Sequence, residues 1–401
     1  MYNILDYIIF VCETEKNMAG DVLKIGMLGF GSMGKTHTYA LKTLPFFYPS
    51  MPFGIELGGV CTKTPEKAEY AKNTFGYKTA TTNEDQLIYS KEIDIIDVST
   101  PNIFHFDTLI KAIDAGKHIY CEKPLCISYD QAKKLQAAAN KKGTVFGMVF
   151  NNRFIPAVMR AKQIIDAGRL GRILSFSAAY YHSSATDTNK NAGWKQNKDV
   201  CGGGVLFDLG SHVIDLVHHL CGEIESISAL SQIAYPTRRG MDGEMWKTNA
   251  DEAFYMLCTL KGGGCGTMIQ SKVHTGANDD VIIEIYGEKG AIKYSLMECE
   301  WLYFYDTAAK ASPLGGDRGF TKIECVGRYD APGGVFPSPK APVGWLMGHS
   351  ANYYAFLDSV YNGRQPSPGL CDGVYVQKVM EAAYKSAELR RIIKVDDLSV
   401  I

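Results

Sequence analysis

Val22 to Leu28 is a short β-prone run that feeds directly into Gly29, Phe30, Gly31, Ser32, Met33 and Gly34, and Lys35 to Leu44 then has helical composition. Strand, glycine loop and helix in that order constrain this chain more than any other stretch. The glycine spacing alone would suit a plain turn, but in this context it reads as a dinucleotide loop. Gly29 serves the tight turn, Gly31 lets a pyrophosphate approach the backbone, and Gly34 lets helix and strand pack closely, with the phosphates facing the helix N-terminus.

The alternation continues. A second strand, Glu56 to Cys61, is followed by Thr62, Lys63 and Thr64. A site selective for NAD places Asp or Glu there, to hold the ribose hydroxyls and repel a 2′-phosphate. With no acid and a lysine, both NAD and NADP stay open. Helix Pro65 to Phe75 leads on to Ile93 to Val98, a continuous apolar run of the kind buried in parallel sheets. Ser99, Thr100, Pro101 and Asn102 follow it, then a helix carrying His105, so polar groups stand where doubly wound sheets bind ligands. Gly116 to Cys121 is a further strand, ending in Glu122, Lys123 and Pro124. Pro124 keeps Lys123 extended, and an ammonium fixed there can polarise a hydroxyl or carbonyl oxygen; an ordinary surface turn reads the same way. Helix Tyr129 to Lys142 and strand Thr144 to Phe150 complete the pattern. The expectation is an extension over 1–20, a doubly wound parallel sheet over 21–148 and a second domain over 149–401.

In the second part, Asn151, Asn152 and Arg153 lead into a helix over Ala157 to Ala167. A strand over Ile173 to His182, a polar loop over Ser183 to Gly193 and the pair Trp194-Lys195 follow. The stretch Gly202 to Gly222, GGGVLFDLGSHVIDLVHHLCG, reads as one helix of about five turns. It is apolar on most sides, yet Asp208, His212, Asp215 and His219 fall at steps of four, three and four, along one stripe. A charged stripe on a buried helix costs energy unless each group finds a partner. A carboxylate one turn before an imidazole is what proton transfer needs, although polar residues on a helix surface give the same pattern. The runs Ile224 to Ile233, Glu252 to Leu260, Gly264 to Val273, Val281 to Tyr286 and Ala291 to Ser295 suggest an open, largely antiparallel sheet. Ser312 to Gly348 reads as loop, and two helices, Ser350 to Asn362 and Asp372 to Leu389, close the chain.

With 42 basic and 43 acidic residues the net charge is −1, which gives no electrostatic case for nucleic acid or an anionic membrane. The eleven cysteines form no CxxC pair, so a zinc site, another metal site or a disulfide framework is not expected, and reduced thiols fit a cytoplasmic protein. Tyr7 to Cys12 is apolar but too short for a membrane span and lacks the flanks of a signal peptide.

GFGSMG after the first strand, STPNIFH, EKP and GGGVLFDLGSHVIDL, in this order from about Leu23 to Leu389, together resemble the Gfo/Idh/MocA oxidoreductases. The resemblance implies an N-terminal Rossmann domain binding NAD or NADP and a C-terminal α+β domain whose open sheet mediates homo-oligomers. Asp208 and His212 match the family's catalytic pair, and Lys123 matches the EKP lysine. Glu122 and Asn102 would meet the nicotinamide ribose. Arg153, Trp194 and His349 would border cofactor or substrate, and the Tyr181 to Trp194 loop, with His182, would line the substrate. The implied reaction oxidises a secondary ring hydroxyl of a sugar, glycoside, inositol or similar polyol, with position 3 of a glucoside one target. His212 is then the general base, and Lys123 stabilises the alkoxide. A redox glycosidase with tightly bound, recycling nicotinamide, a carbonyl reductase using NADPH and a non-catalytic nucleotide-binding regulator are the competing readings.

Overall fold

The computed structural model describes residues 22–240, 242–326, 336, 338, 340–342 and 344–400. The expected extension over 1–20 lies outside them.

Six strands make the first sheet: β1 (Val22–Leu28), β2 (Gly54–Cys61), β3 (Thr79–Thr81), β4 (Ile95–Val98), β5 (His118–Cys121) and β6 (Phe146–Met148). All neighbours are parallel, in the order β3-β2-β1-β4-β5-β6. Central strands buried on both faces are mostly apolar, and Ile25, Met27, Ile95, Ile96 and Val98 are fully buried. Helices α1 (Ser32–Phe47), α2 (Pro65–Phe75), α3 (His105–Asp114) and α4 (Tyr129–Lys142) connect the strands. Their ends carry local signals. The Ser128 hydroxyl caps α4 by accepting from the Gln131 N–H, and Gly143, at φ 67°, ends it. Strand order reverses between β1 and β4, where the loops after both strands open a crevice.

The chain continues through α5 (Pro156–Asp166) to β7 (Ile173–Tyr181), the middle strand of a nine-stranded sheet. Its other strands are β8 (Ile224–Gln232), β11 (Ala253–Leu260), β12 (Cys265–Ser271), β13 (Asp280–Gly287), β14 (Gly290–Ser295), β15 (Trp301–Asp306), β16 (Phe320–Glu324) and β17 (Ile393–Lys394); β9 (Thr237–Arg239) and β10 (Met245–Lys247) form a separate hairpin. Neighbours run antiparallel except β7 and β12, which are parallel. Strand β16 forms inside the stretch expected to be loop. It is an edge strand with mostly exposed, polar residues, so it lacks the alternation that marks a half-buried strand.

The expected single helix over Gly202 to Gly222 is broken. Leu206–Gly210 winds as a π-helical turn, and α6 (Ser211–Cys221) follows. The apolar stretch Lys198–Cys221 is long enough to cross a membrane, yet 83% of its most apolar window is buried inside the protein. After α6 and the sheet, α7 (Trp345–Tyr361) returns to the first domain. Tyr353, Phe356, Leu357 and Val360 pack with Leu23, Ile25, Leu41 and Tyr120. Helix α8 (Leu370–Leu389) covers the second sheet and packs against α6.

Candidate active site

The three glycines of the loop differ in their surroundings. Gly29 has φ 95°, and a Cβ there would lie 2.7 Å from the Ser99 carbonyl oxygen. Its N–H donates to Cys61 O at 2.9 Å and its carbonyl accepts from Ser99 Oγ at 3.0 Å, fixing the loop against β2 and β4. A Cβ on Gly34 would overlap the Gly29 carbonyl oxygen, whereas one on Gly31 would meet no atom within 4 Å. The crowded glycines build the turn, and the open one leaves space for a pyrophosphate at the start of α1. Phe30 turns the other way, packing on Phe75 and Tyr77 at centroid distances of 5.4 and 6.2 Å, so only its backbone faces the loop. After β2, Thr62 is buried with its hydroxyl donated to Thr64 O, and Lys63 is exposed.

Beyond Met33 lies a cavity of about 300 Å³ between the two sheets' loops. Glu122, Lys123, Asn151, Asn152, Tyr180, His182, Lys195, Asp208, His212, Lys272, Asp279, Trp345 and His349 are on its wall. The wide π-helical turn carries Asp208, and α6 begins just before His212. Lys123 Nζ donates to Asp208 O at 2.7 Å and lies 3.3 Å from its Oδ1. Lys195 Nζ is 3.0 Å from both carboxylate oxygens, and Lys272 Nζ is 2.8 Å from Oδ2. Burial would raise the Asp208 pKa, but Lys272, Lys123 and Lys195 override it and hold the carboxyl well below its usual value. Burial, reinforced by the Lys123 ammonium, pushes His212 down to about 3, so its imidazole is neutral near pH 7. Opposite, Asp279 Oδ1 accepts from Tyr180 O–H at 2.6 Å and lies 2.9 Å from His182 Nε2.

Buried polar atoms are nearly always paired. On this wall His212 Nδ1, both nitrogens of His349, Asn151 Nδ2 and Asn152 Oδ1 are buried without a hydrogen-bond partner among the described residues. Their convergence, with the open Gly31, fits a polar ligand and a dinucleotide reaching in from the glycine loop.

At the first-domain end of the cavity, His37 on α1 lies between two buried carboxylates. Its Nδ1 is 2.9 Å from Asp97 Oδ1 and its Nε2 is 3.1 Å from Glu122 Oε1. Burial alone would lower its pKa, yet Asp97 and Glu122 raise it to about 10. Tyr353 O–H donates to Asp97 Oδ2 at 2.9 Å, and the Lys123 N–H donates to Glu122 Oε2 at 3.1 Å. The network thus runs from α1 through β4 to the EKP loop.

Four expected site residues are not on the wall of this cavity. Arg153, in the turn Asn151–Phe154, is buried against α6, with Nε 2.9 Å from Asp215 Oδ2 and an amino group on both Asp215 and Asp372, so it is spent on an internal ion pair away from the cavity. That pairing also explains the stripe, whose Asp215 and His219 are not on the cavity wall. His105 is fully buried, its ring nitrogens 2.9 Å from Thr100 O and 3.1 Å from Pro124 O; it ties the Ser99–Asn102 and EKP loops together. Asn102 donates its amide to Cys201 O at 2.8 Å, joining the first domain to the chain ahead of the π-helical turn. The Trp194 ring is 40% exposed, and Lys195 beside it reaches inward instead. Conversely, His37, Lys195, Lys272, Tyr180, Asp279, Asn151 and Asn152 were not among the expected site residues. Lys272 follows β12 directly, a strand-end position that marks a ligand edge only once strand order is known.

Residues 23–150 match the family model described as oxidoreductase family, NAD-binding Rossmann fold, and residues 158–293 match the GFO/IDH/MocA C-terminal domain. The chain belongs to the Gfo/Idh/MocA family. It is similar to levoglucosan dehydrogenase of Pseudarthrobacter phenanthrenivorans, 29% identical over 390 residues that cover 94% of this chain and 99% of that protein. Glucose-6-phosphate 3-dehydrogenase of Bacillus subtilis is 26% identical over 368 residues, 90% of this chain and 95% of that protein. A solved structure of levoglucosan dehydrogenase in complex with NADH and levoglucosan superposes with a TM-score of 0.89 at 28% identity, covering 94% of this chain and 100% of that one. As a Gfo/Idh/MocA oxidoreductase, the protein pairs an NAD-binding Rossmann domain with the family's open-sheet C-terminal domain.

Proposed function

We propose that this enzyme oxidises a secondary ring hydroxyl of a sugar, glycoside or inositol to the ketone. The observation that carries the reading is the buried His212, its Nδ1 unpaired among the described residues, sharing one cavity with Lys123 and with Met33 of the glycine loop. A nicotinamide dinucleotide held by its pyrophosphate at Gly29–Gly34 would supply the hydride acceptor. A neutral imidazole accepts the hydroxyl proton, and the adjacent ammonium stabilises negative charge on the oxygen as the proton leaves. Asp208, kept ionised by its lysines, holds Lys123 in place and accepts a second substrate hydroxyl. Asn151, Asn152 and His349 supply further polar contacts to a hydroxyl-rich ring. The names of the relatives, levoglucosan and glucose-6-phosphate dehydrogenases, support hydroxyl oxidation over a redox glycosidase or a non-catalytic regulator.

For the cofactor, the absence of a carboxylate over Cys61 to Thr64, with Lys63 exposed, supports use of both NAD and NADP. KM values for the two within about tenfold of each other would bear this out; strict NAD selectivity would refute it. We also propose a homo-oligomer built on the outer face of the second sheet, where Leu230 and Leu257 are 66% and 63% exposed beside Tyr255. Light scattering of the wild type and of Leu257→Glu tests this; a wild-type monomer contradicts it. The functional reading itself is tested by cofactor reduction with a panel of pyranoses, glycosides and inositols, and no reduction on any of them would sink it.

A further inference from the structure

Three ammonium groups converge on the single carboxylate of Asp208. Lys123 is absorbed by the proposed chemistry, but Lys195 and Lys272 are not. Lys272 is held inside, its side chain 12% exposed, and Lys195 stands at the rim with 47% exposed. A lysine is rarely desolvated to this degree merely to add a third cation to an acid already paired twice. No other acid on the cavity wall pairs with Lys195 or Lys272 among the described residues. Asp279, ahead of β13, is held by His182 and Tyr180. On the first-domain side, Glu122 and Asp97 share His37, and Asp97 also accepts from Tyr353. The Asp208 end of the cavity therefore carries a local excess of positive charge.

We infer that the substrate bears an anionic group, a carboxylate or phosphate, and that Lys195 and Lys272 bind it. The inference rests on the carbohydrate reading above and narrows it to sugar acids or sugar phosphates. Each ammonium has three N–H donors, and the side-chain acceptor for both lysines among the described residues is Asp208, so donors remain for a second acceptor. Charge-assisted bonds to an anion are short and strong, and a cleft with one excess sign also draws that anion in. Oxidised nicotinamide brings one more positive charge, which an anionic substrate offsets.

The test compares substrates that share a ring and differ in charge: glucose with glucose 6-phosphate, glucose with glucuronate, and methyl glucoside with methyl glucuronide, each with NAD and with NADP. The expected result is a kcat/KM at least about tenfold higher for a charged member at low salt. The advantage should shrink as sodium chloride is raised. The phosphate and carboxylate arms identify the group. Lys272→Met and Lys195→Met should each lower the charged-to-neutral ratio and Lys195→Arg should keep it, with NADH binding by fluorescence confirming that the variants are folded. Equal or better turnover of the neutral members overturns this inference alone, as does a ratio untouched by either methionine variant. The same charged and neutral pairing is carried across the wider panel of pyranoses, glycosides and inositols, and no cofactor reduction on any of them overturns the carbohydrate reading and this inference with it.

Discussion

Replacing His37 by Gln removes the cation between two carboxylates that are almost wholly buried, Asp97 and Glu122, and keeps the side chain's size and some of its hydrogen bonding. Raising the imidazole from 6.5 to about 10 corresponds to roughly 5 kcal/mol. Losing one partner of a buried ion pair costs about 3–5 kcal/mol, so the two routes agree. A raised folded-state pKa means this stability is complete below the unfolded value of 6.5 and fades as pH rises through about 10. Urea unfolding of wild type and His37→Gln at a series of pH values from 6 to 10 reads both quantities. The variant should lose about 3–5 kcal/mol at pH 7 and show a flatter decline toward pH 10. A loss under about 1 kcal/mol, or the same alkaline decline in both proteins, would refute a charged His37.

Other consequences follow from the same geometry. Lys123→Met should lower kcat/KM by about 100-fold or more with NADH affinity nearly intact, and His212→Asn should do likewise. Because Lys123 helps depress His212, its removal should also move the acid limb of the pH–rate profile to higher pH; an unshifted limb contradicts the pairing. Gly31→Val should leave the melting temperature unchanged but weaken NADH binding in a fluorescence titration, whereas Gly34→Ala should destabilise the fold itself by about 1–3 kcal/mol. Arg153→Met should cost about 3–5 kcal/mol in a denaturation experiment by stranding Asp215 and Asp372, and a purely kinetic effect would restore Arg153 to the site.

What could be read from sequence was local. The glycine loop, the Lys123-Pro124 step and the Asp208–His212 spacing each express their role within a few residues, through backbone conformation or helical periodicity. His37 could not be read so. It lies three residues past Gly34, but its meaning comes from Asp97 and Glu122, 60 and 85 positions away, brought beside it by the parallel order of β1, β4 and β5. Arg153 shows the converse: the family resemblance implied a ligand contact, while tertiary packing pairs it with Asp215. The π-helical turn at Leu206–Gly210 was hidden because its apolar residues fit an α-helix equally well. Lys195 and Lys272 carry no mark in the sequence, since the placing of one long side chain leaves no periodic trace.

The measurement that goes most directly to the central claim uses a substrate deuterated at the ring carbon to be oxidised, with sugar and cofactor products analysed together by mass spectrometry. The account predicts a ketone that has lost two hydrogens, with the deuterium recovered on the reduced nicotinamide in equal amount and neither product formed by His212→Asn. Release of an aglycone with no net cofactor reduction, or deuterium lost to solvent, would contradict it.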